Sequence, residues 1–281
     1  MEPFRSSKRR KDGWSLRSKQ WLWFPAVSAA TILQTAGGTP WPETALMALL
    51  AFGFLCLPRT EQRPGWLEGL QSLWNGVILA QVLRWASGYW PQAPAWAGGT
   101  LLVLGLWLAF KGREAFEAAA SVLGLMQLIL TAAVQLSALP EVRPESWAWQ
   151  MPKGNGWLFI ALLLPALSQE KRSPAPMLWA LGISLITAGT AGYYEMSRGI
   201  SLFGSIRRME SLAAVGLTLG YLLLTGRLIQ NRKRENSLFT AAVAALLFVL
   251  PMESTGITAA VGSAVVWVIL PCFLTFSGKN K

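Results

Sequence analysis

Histidine is absent from this chain of 281 residues, and aspartate occurs once, at Asp12. Without imidazole, the usual metal sites and histidine-based acid–base catalysis are excluded. A lone aspartate near the N-terminus removes paired intramembrane aspartates as protease, magnesium or proton-relay centres. Cysteine is scarce too: Cys56 and Cys272 sit alone in separate apolar stretches. That argues against a disulfide or a thiolate metal site and for core filling. The glycines are scattered through apolar runs and form no phosphate-cradling loop. No catalytic constellation is left, so the chain is expected to be neither an enzyme nor the holder of a cofactor.

What is present is apolar. The chain is 53% hydrophobic with 15 Trp, and only 14% of it is charged. Spread over many separate runs, that composition reads as an all-α polytopic membrane protein. Ten apolar segments are expected to be transmembrane helices: residues 21–38, 43–57, 66–90, 95–110, 114–139, 157–168, 176–194, 206–229, 237–251 and 256–276. They form one transmembrane domain, 21–276, between a basic tail at 1–20 and a second at 277–281. The net charge of +11 is concentrated in the first tail, at Arg5, Lys8, Arg9, Arg10, Lys11, Arg17 and Lys19. No aromatic-rich soluble domain accompanies it, so the expected partner is the anionic face of a lipid bilayer and not nucleic acid. A basic region before Ser28, Ala29 and Ala30 also suits a cleaved signal. The apolar run ahead of them is short and contains Pro25, which favours a retained first helix.

With both termini cytoplasmic, Arg59, Arg63, Lys111, Arg113, Lys171, Arg172, Arg227, Arg232, Lys233, Arg234, Lys279 and Lys281 all fall inside. The outer set is then only Arg143, Lys153, Arg198, Arg207 and Arg208. If segment six did not cross, the cluster from Arg227 to Arg234 would move outside, so the charges favour a crossing. Segment six is nevertheless short, about twelve residues where a straight helix needs roughly 20, and Pro165 interrupts it. Non-helical backbone at membrane depth survives only where protein or a water-filled cavity covers it, which is the chemistry of a small-molecule site.

Ten segments divide into five and five, and an odd number per half makes the second half enter the membrane from the opposite face. This is the arithmetic of a five-plus-five inverted repeat, whose first members, segments one and six, are the ones interrupted by glycine and proline. A site between the halves is expected to use Thr35, Gly37, Gly38 and Thr39 from segment one with Gly154, Gly156 and Trp157 from segment six. These offer free backbone groups and a wall for a zwitterion. Pro165, Arg207 and Glu210 are candidate structural or gating residues, the last two as an ion pair where segment eight begins. Gly216 and Gly220, four apart, suit close helix packing. Segment three is the most polar, with Glu68, Gln71, Asn75, Gln81 and Arg84; such side chains must face protein or water, and Arg84 is expected to snorkel towards Tyr89 and Trp90. Glu114 and Glu117 suit the start of segment five as helix-capping charges more than as proton couplers. Sodium coupling would need several oxygens, to which Ser28, Thr31 and Thr35 contribute; coupling by sodium or protons stays open.

Four stretches carry a family resemblance: APAWAGGTLLVLGLWLAFKGREAFEAAASVLGL from Ala93, the Gly154-Asn155-Gly156 entry to segment six, Arg208-Met209-Glu210 opening segment eight, and LPCFLTF before the basic C-terminus. In this order and spacing, from about Leu67 onwards, the chain resembles the B subunit of spore germinant receptors, a branch of the amino acid, polyamine and organocation transporter superfamily. The resemblance implies helices one and six unwound around a site for an amino acid or similar germinant. It implies two partner subunits, one a membrane protein with large soluble domains and one a lipoprotein, and a bacterial cytoplasmic or spore inner membrane. Helix six is shorter here than the family pattern and lacks its acidic residue after a glycine; helix one and the first outer loop are compressed. A secondary amino acid transporter and a non-transporting scaffold with a degenerate site are the alternatives.

Overall fold

Each of the ten apolar segments contains helix, and no strand occurs among the described residues. The computed structural model describes residues 21–22, 24–28, 41–57, 64–88, 92–138, 157–167, 174–198, 210–230, 233–250 and 256–277. In chain order the helices are α1 (residues 24–28), α2 (Trp41–Cys56), α3 (Gly65–Gly88), α4 (Pro94–Phe110), α5 (Arg113–Ala138), α6 (Trp157–Leu167), α7 (Pro174–Arg198), α8 (Glu210–Ile229), α9 (Arg234–Val249), α10 (Gly256–Ala264) and α11 (Leu270–Ser277). A π-helical turn, Val265–Ile269, joins α10 to α11 in one continuous helix.

Local chemistry sets several of the boundaries. Pro94 opens α4, where its missing N–H is not needed. Lys111 caps the same helix with its N–H on the Trp107 carbonyl, and Gly112 then takes φ +96°, a left-handed turn that glycine enters without steric penalty. Leu250 ends α9 at φ −81°, ψ 137°, the extended state that a following proline, Pro251, imposes. The π-turn has a similar origin. Pro271 has no N–H, and its ring would collide with the carbonyl four residues back, so the helix widens just before it and the Leu270 N–H reaches Val265 instead of Val266.

Side-chain contacts give each helix its direction. Glu68 at the start of α3 pairs with Lys233 at the start of α9, 3.3 Å apart. Arg227 in the last turn of α8 reaches Ala166 at the end of α6. A Cβ on Gly226 of α8 would lie 2.9 Å from Phe116 at the start of α5 and 3.8 Å from Leu108 at the end of α4. One end of the bundle therefore gathers the starts of α3, α5 and α9 with the ends of α4, α6 and α8, together with the exposed Lys111, Lys233 and Arg234. At the other end, Arg84 of α3 bonds to carbonyls at the end of α9, and Gly98 near the start of α4 sits against Phe248 of α9 and Ser87 of α3. Helices α3, α4 and α5 thus reverse direction one after another, as do α8 and α9.

Helices α4 and α8 cross very closely: a Cβ on Gly105 would stand 2.5 Å from Thr225 Cγ2 and 3.2 Å from the Gly226 backbone nitrogen. A backbone atom cannot swing aside. Gly105→Ala is therefore expected to destabilise the fold by about 1–3 kcal/mol through overpacking. Gly99→Ala, on the same helix but with nothing within 4 Å of the new Cβ, should be neutral or slightly stabilising. Equal thermal stabilities for the two variants would contradict the close crossing.

The outside of the bundle is apolar. Leu46, Leu49, Trp96, Val103, Trp107, Val122, Ile129, Leu178, Phe239, Leu246, Ile257 and Phe273 are all exposed, whereas the exposed charges Lys111, Glu114, Lys233, Arg234 and Glu235 lie at helix ends. Among the described residues, one helix, Gly256–Phe276, is long and apolar enough by length and composition to cross a membrane; the apolar stretches of α2, α4, α6, α7 and α8 are shorter.

The Arg84 guanidinium is held by the Leu247 and Leu250 carbonyls, because a helix end presents unpaired acceptors and a partial negative charge nearby; Tyr89 and Trp90, towards which it is expected to snorkel, lie outside the described residues. One expectation needs correction here. Cys56 does not fill the core. It lies on the outward stripe of α2 with Leu49 and Gly53, seven and three residues before it.

Candidate functional site

Helix α6 is the centre of the molecule. It has 11 residues, about 16 Å of helix against about 36 Å for the 24 residues of α3, and every residue from Phe159 to Leu167 is buried. A helix that is apolar all round belongs inside a protein, and this one is enclosed by α2, α3, α8 and α10.

Pro165 lies inside α6 and does not end it, contrary to the broken-helix expectation. What it removes is one N–H, the partner that the Ala161 carbonyl would have four residues earlier. That carbonyl is taken by the Ser263 hydroxyl of α10 at 2.9 Å. The same oxygen of Ser263 accepts the indole N–H of Trp74 from α3, also at 2.9 Å. Gly262 makes this contact feasible, since any Cβ there would overlap the Trp74 ring.

The second proline repeats the device. With Leu270 bonded to Val265 and no N–H on Pro271, the Val266 carbonyl is open, and the Gln71 amide of α3 donates to it at 3.3 Å. Asn75, one turn along α3, joins two more elements. Its amide N–H donates to the Leu228 carbonyl at the end of α8 at 3.1 Å, and its oxygen accepts from the Trp267 indole at 3.2 Å. Gln71, Trp74 and Asn75 are three and four residues apart, so one face of α3 meets α8, α10 and the π-turn, and through Ser263 reaches α6.

Arg227 completes the enclosure of α6. Its side chain is 2% exposed; Nε donates to the Ala166 carbonyl at 2.8 Å and one Nη to Gln230 Oε1 at 2.7 Å. A guanidinium at the carbonyl end of a helix complements both its open acceptors and its dipole. Arg227 is thus a buried clamp between α8 and α6, although its place next to Arg232, Lys233 and Arg234 suggests a loop charge.

Of the residues expected at the site, the structure brings Trp157 and Pro165 into the core: Trp157 opens α6 half-buried against it, and Pro165 is fully enclosed. Glu210 is the first residue of α8. Thr31, Thr35, Gly37, Gly38, Thr39, Gly154, Gly156 and Arg207 lie outside the described residues. Ser28 of α1 is fully buried, and its hydroxyl has no hydrogen-bond partner among the described residues; the same holds for Ser184 of α7 and Thr225 of α8. Glu117 is buried, while Glu114 is exposed. Sequence reasoning missed Trp74, Ser263, Arg227 and Pro271. The available signal was the proline pair, since each buried proline opens a carbonyl that some neighbouring donor must meet.

These bonds tie α3, α6, α8, α10 and the π-turn together in one seam and fix how the five elements sit. No family model matches the chain, and no curated protein is significantly similar to it.

Proposed function

We propose that the chain is an integral membrane subunit of the spore germinant-receptor type, which binds or senses an amino acid or similar small solute and holds partner subunits without sustained transport. The packing pattern supports the fold on which this reading rests, and the resemblance supplies the role. Moved on by five helices, the pair α3 with α9 becomes α8 with α4, α3 with α4 becomes α8 with α9, and α5 with α8 becomes α10 with α3; all six pairs are packed. The pairs α2 with α7, α3 with α8 and α4 with α9 map onto themselves and are packed as well. Two five-helix halves related by a two-fold axis in the membrane plane would give these pairs, although α4 with α5 and α5 with α7 have no comparably packed counterparts in α9 with α10 and α10 with α2; such halves would put a solute site where their first helices meet near the midplane. The apolar surface and the charges at the helix ends support ten spans with the basic end in the cytoplasm.

Two experiments test the proposal. On a background without native cysteines, Gln230→Cys and Lys111→Cys should react only from the cytoplasmic side and Ala93→Cys only from outside; labelling of Gln230→Cys from outside would overturn the ten-span topology. In a thermal screen of the purified protein against the common amino acids, with and without sodium, one solute should raise stability selectively. The gain is about 2.7 kcal/mol at a hundredfold excess over Kd, and it should be lost in Gly38→Val and Gly156→Val. No response in the presence of partner subunits would remove the sensing role and leave a scaffold.

A second reading, a sodium-coupled amino acid carrier, is favoured by one observation: the buried, unpartnered hydroxyl of Ser28, an oxygen that a cation could use. Gradient-driven uptake into proteoliposomes separates the two.

A further inference from the structure

We infer that the outward face of α4 is a docking surface for an anionic phospholipid, with Lys111 and Trp107 at the headgroup and the helix above them as the bed of an acyl chain. The inference rests on the membrane-spanning reading of the bundle and not on the solute site.

Every fourth residue of α4 from Gly99 onwards is exposed: Gly99, Val103, Trp107 and then Lys111 at its cap. Residues four apart lie above one another, so these form one line along the helix. A Cβ on Gly99 would have nothing within 4 Å, so no described helix covers the line at that level. The run from Gly99 to Trp107 rises about 12 Å, most of the roughly 15 Å of hydrocarbon in one leaflet. Its apolar part therefore matches a lipid chain in length as well as in chemistry.

The line ends on a cation that is held in place. The Lys111 backbone N–H donates to the Trp107 carbonyl at 3.1 Å, and its ammonium lies 5.1 Å from the centre of the Trp107 ring. Attraction between the ammonium and the indole face keeps the charge beside a side chain that is 54% exposed on the outside of the bundle. Gly112, at φ +96°, turns the chain away directly afterwards. Indole rings settle at the level of lipid headgroups, so the ammonium stands at the depth of the phosphates. The other described cations at this end are differently placed: Lys233 pairs with Glu68, and Arg234 is followed by the exposed Glu235. A net negative headgroup complements Lys111, whereas a zwitterionic one brings a cation of its own that competes with it.

The test reads lipid at one place on the surface. A fluorophore is attached at Val103→Cys in the full chain, freed of native cysteines and returned to bilayers. Quenching by phospholipids with brominated chains then reports which lipid lies against α4. Brominated phosphatidylglycerol should be preferred over brominated phosphatidylcholine by about fivefold, the effect of one basic side chain near an anionic surface. A label at Ile129→Cys, on the exposed face of α5, should show less than about twofold preference. Lys111→Gln should bring the preference at Val103 below about twofold, and Arg234→Gln should leave it unchanged. Trp107→Leu, which keeps an apolar side chain without the ring, should at least halve it. Glycerol phosphate, a headgroup without chains, should not compete. Equal quenching by the two lipids, or a preference that survives Lys111→Gln, would overturn the headgroup site while leaving the bundle in the membrane. Competition by glycerol phosphate would overturn it too, as a phosphate site with no lipid character. No quenching by either lipid would mean that a second copy or another protein covers the face or that α4 lies outside the bilayer, and the docking surface would fail together with the reading beneath it. Thr100→Cys, on the same exposed face, carries the label if Val103→Cys does not fold.

Discussion

Arg227→Ala is expected to destabilise the protein by about 3 kcal/mol or more, the largest effect of any single side-chain deletion in the seam. The guanidinium is buried and makes a 2.8 Å bond to the Ala166 carbonyl. A hydrogen bond to a charged group contributes roughly 1.5–3 kcal/mol, and the acceptor left behind is penalised further because no water replaces the donor. At about 2–4 °C per kcal/mol for a chain somewhat smaller than this one, the apparent melting temperature should fall by roughly 6–12 °C. Two further variants separate bonding from packing. Arg227→Met keeps much of the volume but offers no donor, so it should be nearly as unstable as alanine. Arg227→Lys keeps the charge but not the planar fork that serves Ala166 and Gln230 together, and should recover less than half of the loss. A methionine variant as stable as wild type would mean that the guanidinium contributes only its bulk.

The same residue shows what could be read in the sequence and what could not. The basic cluster from Arg227 to Arg234 reads as one loop, and the end of the bundle to which it belongs follows from charge alone. Which of its members turns inward is decided by the phase of α8, where Leu223, Leu224, Arg227 and Leu228 share the buried face. Periodicity alone would have placed Arg227 there, but the positive-inside count assigns charges to loops and so overrides it. The helices themselves were legible because each buries apolar side chains over a length that turn residues delimit, as Pro94 and Gly112 do on either side of α4.

The polar residues of α3 were legible as a class and not as contacts. Glu68, Gln71, Asn75 and Arg84 are too costly to leave in an apolar medium, so they must find partners, and they do. The sequence does not say which, because most of those partners are backbone carbonyls, and a carbonyl is present at every residue. Only the prolines mark particular carbonyls as open. Pro165 looked like a helix terminator because it sits in a run too short to span, yet the enclosing bundle supplies the missing donor and the helix continues past it. A proline costs a helix much less when a neighbour restores the bond.

That statement can be measured. Ser263→Ala should cost about 2–3 kcal/mol, because it strips the donor from Ala161 and the acceptor from Trp74 in one step, leaving two polar groups unpaired in a dry interface. Pro165→Ala alone should be close to neutral: the new backbone N–H adds the regular intrahelical bond to Ala161, whose carbonyl has room for a second donor. Combined, the two changes should be less harmful than their sum. In the Pro165→Ala background, Ala161 keeps a partner after Ser263 is lost, and only the Trp74 N–H is orphaned. The expected coupling is about 1 kcal/mol in favour of the double variant, large enough to measure for residues that share one acceptor. The sign matters more than the size. Simple additivity would mean that Ser263 acts on α6 through packing and not through the carbonyl that Pro165 leaves open. A coupling of the opposite sign would mean that the proline ring is itself part of the α6–α10 contact.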